Sequence, residues 1–174
     1  VGSSDDSTLR RCRAAGTDQR VARGGSNPGL LGGVILLDTN VVSAVMLQCP
    51  DAAVVAWLDQ SDPSQIWLPS VVVFELRYGA AIHPDASRRR KLELAIKRLM
   101  AELIQGRIAP LDERAAQQAA QLAAQRKTQG RPVDLRDTLI AGIALAHQAQ
   151  LATRNSRHFS DTTISLINPF AAMG

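Results

Sequence analysis

A chain of 174 residues and 18.7 kDa is the size of one domain, or of one domain and a tail. With 45% hydrophobic and 21% charged residues it has the balance of a globular protein, which excludes a chain disordered throughout, and no apolar run is long enough to span a bilayer. The net charge of +4 is shared between residues 1–33 and residues 34–174, so the larger part is too weakly basic for charge alone to argue nucleic-acid binding. Six aromatic residues leave the core to Ala, Val, Leu and Ile, and they are too few to promise a platform for stacking single-stranded bases. Cys12 and Cys49 stand far apart, in no metal-binding spacing and too few for a disulfide framework, so a reducing cytoplasm is the expected location.

The first 33 residues read as a disordered extension. They hold few large apolar side chains, and Gly24-Gly25-Ser26-Asn27-Pro28-Gly29 breaks any element. No apolar segment precedes a small-residue cleavage site, so these residues are not expected to be a secretory signal. The first residue is Val rather than Met, and one hypothesis is a downstream start that leaves residues 1–33 untranslated; a native peptide from them would overturn it.

From Val34 the pattern alternates. Val34-Ile35-Leu36-Leu37 is a short apolar strand ending in Asp38, followed by helical stretches over Val41 to Met46 and Val54 to Leu58. Ile66-Trp67-Leu68 is a second strand, after which Ser70 is expected to cap a helix running to about Ala81. Leu92, Ile96, Leu99 and Leu103 give a helical period over Arg88 to Gln105, ended by Gly106. Arg107-Ile108-Ala109 is a third strand, and Glu113 to Thr128 an Ala-rich helix closed by Gly130 and Pro132. Asp134 caps a helix through Leu139, Ile143 and Leu145; Gln150 to Thr153 and Ile164 to Ile167 complete four or five strands. Short apolar strands separated by helices predict an α/β fold, a parallel sheet covered on both faces over residues 34–174.

In such a sheet ligands bind beyond the carboxyl ends of the strands. Asp38 follows strand one, Glu75 lies in the helix after strand two, Asp137 lies one turn into the helix begun by Asp134, and Thr153-Arg154-Asn155 follows strand four. Converging oxygens of this kind suit a hard divalent cation, which takes one or two carboxylates and keeps its waters. The same acids also read as structure: Asp38 as a helix N-cap, and Asp134 with Asp137 as a capping pair. Glu75, set among Val71, Val72, Val73, Phe74 and Leu76, is expected to be partly buried with a partner. Spacing alone leaves both readings open.

Six pieces in order resemble the PIN-domain nucleases, and more closely the VapC/FitB-like toxin ribonucleases of toxin–antitoxin pairs. They are Leu36-Leu37-Asp38-Thr39-Asn40-Val41-Val42-Ser43, Glu75-Leu76-Arg77-Tyr78-Gly79, Gly130-Arg131-Pro132, Asp137-Thr138-Leu139-Ile140-Ala141, Ala152-Thr153-Arg154-Asn155 and Asn168-Pro169-Phe170, over roughly residues 35–170. The resemblance implies a three-layer α/β/α domain and an endoribonuclease dependent on Mg²⁺ or Mn²⁺. Asp38, Glu75 and Asp137 would be its catalytic acids, Asp38 and Asp137 the direct ligands of the ion, and Glu75 the holder of a water or a second ion. Thr39, Asn40 and Asn155 would orient these groups. It also implies a homodimer in the cytoplasm, an RNA substrate, a small cognate antitoxin and no membrane association.

Relatives commonly carry a fourth acid just before the Phe of the segment after strand four, where this chain has Arg157-His158-Phe159. His158 is expected to be a surface-loop residue, with phosphate contact as its alternative, and Asp161 is a substitute acid three residues on. The run Arg88-Arg89-Arg90-Lys91 reads as a solvated helix face, with RNA or antitoxin contact as its functional alternative. A metal-dependent toxin nuclease is the leading reading; its alternative is a decayed PIN domain that binds antitoxin or nucleic acid without cleaving.

Overall fold

Ile35–Leu37 form β1, and all three residues are buried. Successive side chains of a strand point to opposite faces, so this strand is covered on both. The structure is a computed structural model that describes residues 33–131 and 134–171, within the unit Gly32–Gly174. The expected extension falls outside the described residues but for Gly33, as do Cys12 and Pro132. After β1 come α1 (Thr39–Met46), α2 (Ala52–Gln60), β2 (Ile66–Pro69), α3 (Ser70–Ala81) and α4 (Ala86–Arg98). A six-residue π-helical turn (Leu99–Ile104), β3 (Ile108–Ala109), α5 (Glu113–Thr128), α6 (Leu135–His147), β4 (Gln150–Ala152) and β5 (Leu166–Ile167) follow.

The five strands form one parallel sheet in the order β3-β2-β1-β4-β5, flanked by helices. The chain builds from β1 to one side, then crosses to place β4 on the other side of β1. That reversal is a topological switch point, where the crevice at the strands' carboxyl ends opens. The register pairs Leu37 with Ala152, so the next residues of the two strands, Asp38 and Thr153, emerge side by side.

Two boundaries differ from expectation. Pro69, not Ser70, is the N-cap of α3, because β2 runs directly into the helix; the Ser70 hydroxyl instead accepts from the Leu111 backbone N–H at 3.0 Å. The helix expected over Arg88 to Gln105 begins at Ala86, where Asp85 caps it by accepting from the Arg88 N–H, and it widens into the π turn before Gln105 closes it at φ 50°. The sparse aromatics nonetheless supply one exposed stacked pair, Phe74 and Tyr78 on α3, with ring centroids 5.6 Å apart. Among the described residues no helix is long and apolar enough to cross a membrane.

Candidate active site

Asp38 does two jobs at the end of β1. Its backbone N–H donates to Ala152 O at 3.0 Å, which prolongs the β1–β4 ladder, and its extended φ and ψ start α1. The cap reading of the residue is right, and the cap also fixes the carboxylate. Oδ1 accepts from the Thr39 N–H at 2.7 Å, while Oδ2 accepts from Asn40 Nδ2 and from the Thr153 hydroxyl, each at 2.6 Å. Asn40 is held in turn, its Oδ1 accepting from the Arg154 N–H, and Thr153 Oγ1 accepts from the Asn155 N–H. Donors to a carboxylate favour its charged form, yet burial pushes the Asp38 carboxyl above its ordinary range, and the charges of Asp137 and Glu75 push the same way. The three acids therefore share one electrostatic environment.

Glu75 projects from α3 and is largely buried, as expected. One carboxylate oxygen accepts from the Thr39 hydroxyl and the other lies 3.2 Å from Arg136 Nη1. Asp137, in the first turn of α6, lies 2.8 Å through Oδ2 from His158 Nδ1. A cavity of about 380 Å³ is lined by Asp38, Thr39, Asn40, Ser43, Glu75, Asp134, Arg136, Asp137, Asn155 and His158. The structure thus brings together seven of the nominated residues: Asp38, Glu75, Asp137, Thr39, Asn40, Asn155 and His158.

Several expectations need correction. His158 is not a bystander of the surface loop: the short helical turn Ser156–His158 points its ring at Asp137, so a histidine pairs with the acid where a fourth acid was sought. Asp161 does not reach into the cavity. It is held by Arg126, whose Nε and Nη2 donate to its two oxygens at 2.8 and 2.9 Å, and this cation keeps its carboxyl below the usual range. The run Arg88, Arg89, Arg90 and Lys91 needs no correction: it sits in the first turns of α4, outside the cavity lining.

Thr153, named in the sequence only as part of the segment after strand four, is fully buried against Asp38, a contact set by strand register. One residue was missed. Arg136 stands one residue before Asp137, and no local pattern marks it. Its guanidinium grips Asp134, lowering that carboxyl to about 2, and reaches on to Glu75.

The donor set fits a hard cation in one respect: Asp38 and Asp137 offer oxygen ligands in a pocket where burial and, less, the charges of Asp137 and Glu75 raise the Asp38 carboxyl. Among the described residues no three His, Cys, Asp or Glu side chains form a ligating group, so an ion held here would take one or two carboxylates and keep much of its water shell.

Comparison with known proteins agrees with this fold. Residues 35–164 match the PIN domain family. The chain is 36% identical over 137 residues to VapC ribonuclease Y4jK of Sinorhizobium fredii, covering 79% of this chain and 98% of that protein. It is 34% identical over 137 residues to toxin FitB of Neisseria gonorrhoeae, covering 79% and 99%. The crystal structure of FitAcB from Neisseria gonorrhoeae superposes with a TM-score of 0.72 at 34% identity, over 79% of this chain and 99% of that one. With the family model, the fold and these relatives in agreement, the chain belongs to the PIN-domain family, among its VapC- and FitB-like toxins.

Proposed function

We propose that this chain is the toxin of a toxin–antitoxin pair and an endoribonuclease that depends on Mg²⁺, with Mn²⁺ as the alternative ion. One observation carries the reading: Asp38, Glu75 and Asp137, from the end of β1, from α3 and from α6, line a single cavity at the switch point of the sheet. The likeness to a VapC ribonuclease and to the FitB toxin supports the same chemistry and the same biological role.

Asp38 and Asp137 would hold the ion. When bound, it supplies charge neutralisation at the scissile phosphate and acidifies water. The rest belongs to the chain. Thr39, Asn40 and Thr153 fix both oxygens of Asp38, so that its carboxylate presents one orientation. The Thr39 hydroxyl holds one oxygen of Glu75, leaving the other to accept a proton from the attacking water once Arg136 moves off it. His158 steadies Asp137, and Asn155 lines the mouth where substrate enters. The partners on this reading are an RNA substrate, a cognate small antitoxin that closes the cavity, and a second copy of the chain.

One observation favours the decayed, binding-only alternative: two of the three acids already have cationic or histidine partners, Arg136 on Glu75 and His158 on Asp137. Cleavage of total cellular RNA decides between them. Antitoxin-free protein with Mg²⁺ or Mn²⁺ should yield discrete fragments, while EDTA, Asp38→Asn and Asp137→Asn should each abolish them. Intact RNA after incubation with folded, metal-supplied protein would leave the binding module as the better reading.

A further inference from the structure

Two arginines near the site are used in opposite ways. Arg126 on α5 is 3% exposed and spends its guanidinium internally, on both oxygens of Asp161, on the Thr138 hydroxyl and on the His158 carbonyl. It braces the segment after β4 against α5 and α6. Arg136 is 59% exposed and lies on the wall of the acidic cavity. Its Nε and Nη2 donate to the two oxygens of Asp134 at 3.0 and 2.9 Å, and Nη1 is 3.2 Å from Glu75 Oε1.

An arginine has five N–H donors in a rigid fork. Three are engaged here, which leaves two on a guanidinium that Asp134 has already oriented. Pre-orienting a long side chain lowers the entropy lost when it meets a ligand. Asp38, Glu75, Asp134 and Asp137 make the cavity acidic, and RNA is a polyanion, so its backbone needs a cation of the protein at the entrance. Arg136 is the arginine on that wall, and its planar fork matches the oxygens of a phosphate.

The geometry points to Arg136 as a substrate-binding residue that takes a non-bridging oxygen of an RNA backbone phosphate at the cavity, with Asp134 as its positioning residue. The assignment rests on the ribonuclease reading above. On RNA binding the guanidinium stays in the grip of Asp134 and exchanges Glu75 for the phosphate. Glu75 is thereby freed for water, so substrate entry itself unmasks the acid.

The test is salt-dependent binding of a fluorescent single-stranded RNA oligonucleotide in EDTA, from 50 to 300 mM KCl (about the range over which such contacts are screened), alongside cleavage kinetics in Mg²⁺. Arg136→Gln should bind roughly tenfold more weakly at the lowest salt. Its plot of log affinity against log salt should be shallower by about 0.7, the loss of one phosphate contact on a single strand. Arg136→Lys should recover the slope, because the charge remains, but not the full kcat, because the fork is gone. A merely structural role would lower cleavage and leave the slope alone. A wild-type slope in Arg136→Gln, or a lost slope in Arg136→Lys, would overturn the assignment while leaving the ribonuclease reading in place. Wild-type protein that neither binds nor cuts RNA would bring down both.

Discussion

A carboxylate that accepts three hydrogen bonds ordinarily titrates low, because each donor favours the charged form. Asp38 goes the other way: burial raises it, against the bonds from Thr153 and Thr39, and the neighbouring acids add to the rise. A folded value raised above the ordinary one means that folding disfavours the charged form of this residue. Its cost to the metal-free fold is therefore absent below the unfolded pKa and grows as pH rises through the folded one. Asp38→Asn removes the charge and keeps the size, at the loss of one accepting oxygen. In EDTA at pH 7 it should melt above wild type, and the gap should close as pH falls towards the unfolded value. Calorimetry of the two proteins across pH checks this. A variant that melts at or below wild type at pH 7 would show that the three hydrogen bonds outweigh the burial. Asp161 has the opposite sign: Arg126 lowers it, so its contribution is present at neutral pH and is lost only as pH falls below 3.8.

At the scale of elements, the position of Asp137 depends on how closely α6 approaches α5. Gly142 makes that approach possible, since a Cβ there would lie 2.6 Å from the Ala115 carbonyl oxygen, 2.6 Å from Ala119 Cβ and 2.8 Å from the Ala119 nitrogen. Two of these are backbone atoms, so a whole helix would have to shift. Gly142→Ala should destabilise the protein by about 1–3 kcal/mol despite alanine's better helix propensity, and cleavage should fall with it as α6 carries Asp137 away from Asp38. Gly79→Ala on α3 is the control, because it meets nothing within 4 Å. It should stabilise by about 0.5–1 kcal/mol. Urea unfolding of the pair measures both, and a neutral Gly142→Ala would mean that the helices have room to part. The same contrast explains what the sequence displays. Runs such as Ile35 to Leu37 and the period Leu92, Ile96, Leu99 are local, and the acids were legible because they stand at the ends of such runs. The partnerships were not legible: His158 with Asp137, Asp161 with Arg126, Arg136 with Glu75 and Thr153 with Asp38 each join residues from different elements. Only strand register and helix packing decide those pairs.

For the whole molecule, the order β3-β2-β1-β4-β5 puts the site where the sheet's two halves diverge, and its acids come from widely separated parts of the chain. An ion shared by Asp38 and Asp137 would therefore link β1 to α6, and anything that binds only the folded state stabilises all of it. Mg²⁺ or Mn²⁺ at a hundredfold excess over its dissociation constant should add about 2.7 kcal/mol. At about 2–4 °C per kcal/mol for a protein of this size, the melting temperature should rise by roughly 5–10 °C. Asp38→Asn combined with Asp137→Asn should show no rise. Ionic strength has to be matched with KCl, because monovalent salt also screens repulsion among Asp38, Glu75 and Asp137. A rise confined to the divalent ions and to the wild-type acids means that the cavity holds the ion. An equal rise in KCl means that screening alone relieves the acids, and the ion would then have to arrive with the RNA phosphate rather than before it.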